Sequence, residues 1–98
     1  MPFVLSRRAA QDYVAIHHAG LENFGVRQAE AYLDRLDAVL ALIGEMPRIG
    51  RTRPELPGAS PTHRCGSHVI LWDIRADGTA DILRIRHQRE DWLGDADG

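Results

Sequence analysis

The side chains best equipped for chemistry in this 98-residue sequence are five histidines and twelve arginines; there is no lysine. Eight of the arginines (Arg48, Arg51, Arg53, Arg64, Arg75, Arg84, Arg86 and Arg89) fall between Arg48 and Arg89. A guanidinium presents a planar fork of donors that grips a carboxylate or phosphate at two points. An imidazole is the side chain whose ordinary pKa lets it take and give a proton near neutrality. Arg84, Arg86, His87 and Arg89, with Arg64 and His68 upstream, therefore offer several cations beside an acid–base group. The matching ligand is an anionic surface or an acidic partner segment. A second proton-transfer partner for His87 is not evident, because Tyr13 and Tyr32 both fall on expected helices. Each residue also has a plainer role. Arg84 and Arg86 serve as a solvated strand face, His87 as a half-buried ring at a strand end, His68 as a backbone-bonded ring near a turn, and Cys65 as a small strand residue. Missing lysines are what a GC-rich genome gives.

Other chemistries are excluded. Cys65 is the lone cysteine, so neither an internal disulfide nor a four-cysteine zinc site can form. His17, His18, His63, His68 and His87 show no metal-ligand spacing, so no metal and no cofactor is expected. A net charge of −2 argues against a dedicated, sequence-specific nucleic-acid binder. No apolar run approaches the roughly 18 residues of a membrane span, and the start of the chain lacks a signal-peptide core. The expectation is one domain over residues 1–98, in the cytoplasm.

The stretch Gly66–Trp92 must position most of these residues. An apolar run, His68–Ile74, is followed by Ala76-Asp77-Gly78-Thr79 and then by Ala80–His87. Two β-rich runs joined through Asp-Gly predict a hairpin with a type I′ turn. Strict alternation along the second run puts Asp81, Leu83, Ile85 and His87 on one face and Ile82, Arg84 and Arg86 on the other. Upstream, Phe3-Val4-Leu5 reads as a strand joining that sheet, and Ser6 as a helix N-cap. Ala10, Tyr13, His17, Leu21 and Phe24 mark a first helical face, and Gly25 its stop. Ala29, Tyr32, Leu33, Leu36, Val39, Leu40 and Ile43 mark a second, ended by Pro47. Val14, Ile16 and Val26 fall off these faces and would form an exposed apolar patch suited to a partner. Residues 48–61 read as an irregular connector, Thr62–Cys65 as a weak strand, and Arg89–Leu93 as a short helical turn. The order β-α-α-β-β-β gives an α+β domain, a helical hairpin packed on a small sheet.

In that order, several groups of residues resemble the ParE branch of the RelE/ParE toxin superfamily. They are Phe24-Gly25 with Gln28-Ala29 and Tyr32; Met46-Pro47 with Gly50-Arg51 and Arg53-Pro54-Glu55-Leu56; His63 through Ile70, which includes Gly-Ser-His-Val-Ile; and Asp77-Gly78 through His87-Gln88-Arg89 and Asp91. The resemblance spans Leu5 to Trp92. It departs from the family pattern at Trp72, where tyrosine is usual, at Arg86, where an aliphatic residue is usual, and at Glu90. It implies a helical hairpin on a twisted, mainly antiparallel sheet, in the toxin of a type II toxin–antitoxin pair associated with plasmid stabilisation. It further implies neutralisation by a ParD-like antitoxin and inhibition of DNA gyrase by binding. The RelE branch implies the alternative, a ribosome-dependent mRNA endonuclease whose candidate catalytic residues here are His87, Arg84 and Arg64. On the binding reading, Arg84, Arg86, His87, Arg89 and Trp92 contact the target, and Val14, Ile16, Val26 and Arg64 contact the antitoxin.

Overall fold

A computed structural model describes residues 3–52 and 60–89. Strand β1 (Phe3–Leu5) leads into helices α1 (Arg7–Phe24) and α2 (Val26–Glu45). A 3-10 turn (Pro47–Ile49) then precedes strands β2 (Arg51–Thr52), β3 (Pro61–Cys65), β4 (His68–Ile74) and β5 (Ala80–His87). The sheet order is β1-β5-β4-β3-β2. β1 runs parallel to β5, and the other pairings are antiparallel. The architecture is the expected α+β hairpin-on-sheet, with one strand more than the sequence suggested. The residues read as irregular connector begin within the 3-10 turn and contain the two-residue β2. The helical turn expected at Arg89–Leu93 lies largely outside the described residues.

α2 forms where its apolar spacing demands. Leu36, Leu40 and Ile43 stand at i, i+4 and i+7 and are all but fully buried, each worth about 2 kcal/mol on removal from water. They meet Ile70, Trp72, Ile82 and Ile85 from the sheet. The Trp72 ring is wholly buried, and its indole N–H donates to the Pro47 carbonyl at 3.0 Å. This core role accommodates the larger aromatic in the place of the usual tyrosine. α1 is turned slightly from the expected face. Ala9, Tyr13 and Ile16 look inward, whereas Phe24 is 68% exposed. Ser6 caps α1 as predicted, its hydroxyl accepting from the Ala9 N–H at 3.0 Å. Gly25, at φ +85°, separates the helices.

Two corrections concern the hairpins. Arg75 and Thr79 close the Asp-Gly hairpin, since the Arg75 N–H donates to the Thr79 carbonyl. The loop is therefore Ala76–Gly78, three residues with Gly78 at φ +90°, not a two-residue type I′ turn. The two-residue connection lies instead between β3 and β4, where Cys65 pairs with His68 across Gly66-Ser67. The second correction is a β-bulge. Leu71 faces Arg84 and Trp72 faces Ile82, which leaves Leu83 as the extra residue. An extra residue reverses the side-chain alternation beyond it. Ile82 and Ile85 consequently both enter the core, and Ile82 does not share a face with Arg84 and Arg86.

Candidate functional site

The bulge decides the fate of the arginines. β1 covers only the first three residues of β5, so backbone groups from Leu83 onward meet α1 instead. The Ser6 hydroxyl donates to the Leu83 carbonyl at 2.9 Å. The Asp12 carboxylate accepts the Ile85 N–H at 2.9 Å, and the Arg84 Nε and a terminal nitrogen at 2.8 and 3.0 Å. Four-fifths of each side chain in this clasp is buried. Arg84 is thus a fastener between helix and sheet. Arg86, paired with Val69 in the ladder, is 7% exposed. The expected solvated face carrying both guanidiniums does not form.

Arg64 and Arg89 are exposed. Arg64 donates to the Gly66 carbonyl at 3.2 Å and to the Gln88 side-chain oxygen. Trp92 lies outside the described residues. Val14 and Val26 are more than half exposed, as expected of a contact patch, but Ile16 is half-buried against the core. It looks into the molecule and away from Val14.

What converges on the end of the sheet is a set the sequence did not bring together. Tyr32, on α2, reaches the β3–β4 turn. Its hydroxyl lies 3.0 Å from the Cys65 carbonyl and 2.6 Å from the His68 Nδ1, and accepts the Ser67 N–H at 3.2 Å. The expectation that neither tyrosine approaches the sheet end is therefore overturned. Gly66 makes this contact possible. It sits at φ +58°, and a β-carbon there would lie 2.7 Å from the Tyr32 ring and hydroxyl. His68 and His87 face each other across the ladder, rings edge to face at 5.4 Å. The His87 Nδ1 accepts the Arg89 N–H at 3.1 Å. Since a backbone N–H can only donate, that nitrogen holds its lone pair and the ring is in its Nε2–H form whenever neutral.

These rings border a cavity of about 670 Å³ between α1, α2 and the sheet end. Ile16, Ala19, Phe24 and Ala29 give it an apolar wall; Tyr32, Arg35, His68 and His87 make its polar end. Burial raises the pKa of the nearby Cys65 thiol, with Arg35 opposing, so Cys65 stays a neutral core residue. Among the described residues no cluster of three His, Cys, Asp or Glu side chains could hold a metal ion, and no helix is long and apolar enough to cross a membrane. Tyr32 and Arg35 carried one usable signal: they stand at i and i+3 on α2, with the ring continuing the apolar stripe and the guanidinium at its border.

The family model described as the ParE toxin of the type II toxin–antitoxin system parDE matches residues 3–92. This chain belongs to the ParE toxin family. It is 33% identical over 89 residues to Toxin ParE1 of Mycobacterium tuberculosis (strain H37Rv), covering 91% of both chains. It is 33% identical over 87 residues to Toxin ParE1 of Caulobacter vibrioides, covering 89% of this chain and 88% of the relative. A solved structure described as the chromosomal ParDE TA system from P. aeruginosa superposes with a TM-score of 0.75 at 22% identity, covering 89% of this chain and 95% of the other. The ParE fold is thus shared across low identity. The chain is a ParE toxin of a ParDE type II toxin–antitoxin system.

Proposed function

We propose that this ParE toxin acts in the cytoplasm by binding DNA gyrase and is held inactive by a ParD-type antitoxin. The observation that carries the reading is the family match over nearly the whole chain. Arg64 contacts the antitoxin, and the exposed Arg89 beside His87, together with Trp92, forms the target-binding end. Arg84 and Arg86 support it from within. The exposed Val14 and Val26, and the groove wall at Ile16, are covered by the antitoxin. Purified toxin at micromolar concentration is expected to inhibit gyrase supercoiling, and prior addition of antitoxin to restore it. Undiminished supercoiling would remove the target assignment.

The hydrogen bond between Tyr32 and His68 favours a second reading, ribosome-dependent mRNA cleavage. An oriented imidazole beside His87 supplies the base and acid that attack by a ribose 2′-hydroxyl on its phosphate requires, and Arg64 and Arg35 are nearby cations. Messages mapped in expressing cells would then be cut, and His87→Ala would leave them intact. Uncut messages with the wild-type toxin dispose of it.

A further inference from the structure

The Tyr32 hydroxyl has three close polar neighbours, and counting protons among them fixes what no single distance does. The Ser67 N–H lies at 3.2 Å, the Cys65 carbonyl at 3.0 Å and the His68 Nδ1 at 2.6 Å. A phenol has one proton to donate and lone pairs with which to accept. The backbone N–H can only donate and the carbonyl can only accept, so the imidazole decides where the phenol proton goes. With a lone pair on Nδ1, the ring would draw that proton. The phenol and carbonyl oxygens would then face each other at 3.0 Å with no proton between them, and one hydrogen bond would give way to a repulsion of lone pairs. With a proton on Nδ1, all three contacts are hydrogen bonds and the phenol is fully used. The Ser67 hydroxyl, 3.5 Å from the same nitrogen, can accept or donate and does not discriminate.

We infer that His68 keeps a proton on Nδ1 in both of its charge states, and that Tyr32 is the positioning residue that fixes it there. The ring donates to the phenol oxygen, and the phenol proton goes to the Cys65 carbonyl. The assignment asks nothing of the other ring nitrogen. Whatever Nε2 meets, gain or loss of charge takes place there. Among the described residues, the titratable or charged groups around the ring are Tyr32 and Arg35 from α2, His87 from β5 and the buried Cys65 from β3. Of these only Tyr32 bonds Nδ1. The charge at the sheet end can therefore change while α2 stays fastened to the β3–β4 turn. The two facing imidazoles also become unlike. His87 holds its Nδ1 lone pair toward the Arg89 N–H, so the neutral rings carry their protons on different nitrogens. This device is independent of what the toxin binds.

Long-range proton–nitrogen correlation spectra of the histidine rings read the proton directly. From about pH 5 to about pH 9, across an ordinary imidazole titration, the His68 Nδ1 should keep the shift of a protonated nitrogen, with any movement confined to Nε2. A lone-pair shift at Nδ1 in the neutral wild-type ring overturns the assignment. A free histidine prefers its proton on Nε2, so Tyr32→Phe should return the neutral ring to that form, and an unchanged tautomer would remove Tyr32 from the account. An isosteric pair of substitutions tests the same point without the ring. His68→Asn keeps an N–H near the place of Nδ1, whereas His68→Asp offers only acceptors. His68→Asn should therefore have the higher urea midpoint of the two, even though the nearby Arg35 favours a carboxylate. Exchange of the Ser67 amide should be roughly fivefold faster in His68→Asp, the equivalent of one lost hydrogen bond. A midpoint for His68→Asp equal to or above that of His68→Asn would mean that the phenol donates to this side chain, and the proposal falls.

Discussion

Two polar cross-links tie helix to sheet, and they end differently. At the β5 edge, Asp12 takes two guanidinium donors and a backbone N–H, so that its charge is paired within the joint. At the β3–β4 turn, Tyr32 satisfies a carbonyl, an N–H and an imidazole but leaves His68, His87 and Arg35 bordering a cavity. The first joint is mechanical. The second is mechanical on one side and presents chemistry on the other. Density of charge along a strand therefore does not locate a site; a site arises where a cross-link leaves room beside it.

The severest way to break the comparison is Asp12→Ala. It removes the carboxylate that pairs with the largely buried Arg84 guanidinium and the acceptor of the Ile85 N–H, a loss of about 3 kcal/mol. Asp12→Asn keeps one acceptor and should fall between the two. Urea unfolding reads both, and a midpoint unchanged in Asp12→Ala would show that the clasp is not holding α1 to β5. Neither substitution touches the cavity, so binding by the folded fraction should persist.

Gly66→Ala attacks the other joint. The left-handed backbone there costs a β-carbon roughly 1–2 kcal/mol, and the methyl would also displace the Tyr32 ring, which lies within 2.7 Å of its position. A total of about 2 kcal/mol is expected. Gly78→Ala is the internal control. Its φ is also positive, at +90°, but nothing lies within 4 Å of the added carbon, so only the backbone part of the loss remains. Equal losses at the two glycines would mean that Tyr32 does not press on the turn. A larger loss at Gly66, together with shifted His68 ring resonances, would confirm that it does.

Much of this fold was legible before any coordinates. Ser6 as cap, the Leu36–Leu40–Ile43 stripe, Gly25 between the helices and the strand character of His68–Ile74 and Ala80–His87 all follow from local spacing. The bulge at Leu83 does not, because the alternation of β5 reads equally well without it. It is set by pairing with Leu71 and Trp72, residues a dozen positions away. From that one residue follow the burial of Ile82 and the occupation of Arg84, hence the misplaced cationic face. The meeting of Tyr32 with His68 was likewise hidden. It depends on how α2 lies over a turn thirty-odd residues later, and on the absence of a side chain at Gly66, neither of which periodicity encodes.

The smallest effect concerns a third cross-link, which sharpens the contrast because it is exposed. The Tyr13 hydroxyl joins α1 to α2 by donating to the Asp37 carboxylate at 2.7 Å. Burial, then that hydrogen bond, then the charges of Asp37 and Asp34 push its pKa from 10.0 to about 12. The folded protein keeps the phenol protonated where the unfolded chain has begun to release it. The stabilisation is therefore complete below pH 10 and is lost as the pH rises toward 12. Solvent screening at this exposed pair limits it to about 0.5 kcal/mol. Tyr13→Phe removes both the bond and its titration. Its urea midpoint should lie slightly below wild type at pH 8, and the gap should close between pH 10 and 12. A gap that stays constant across that range would mean that ring packing, and not the proton shared with Asp37, is what Tyr13 contributes. The helix-to-helix tie would then differ from the two helix-to-sheet joints in kind as well as in strength.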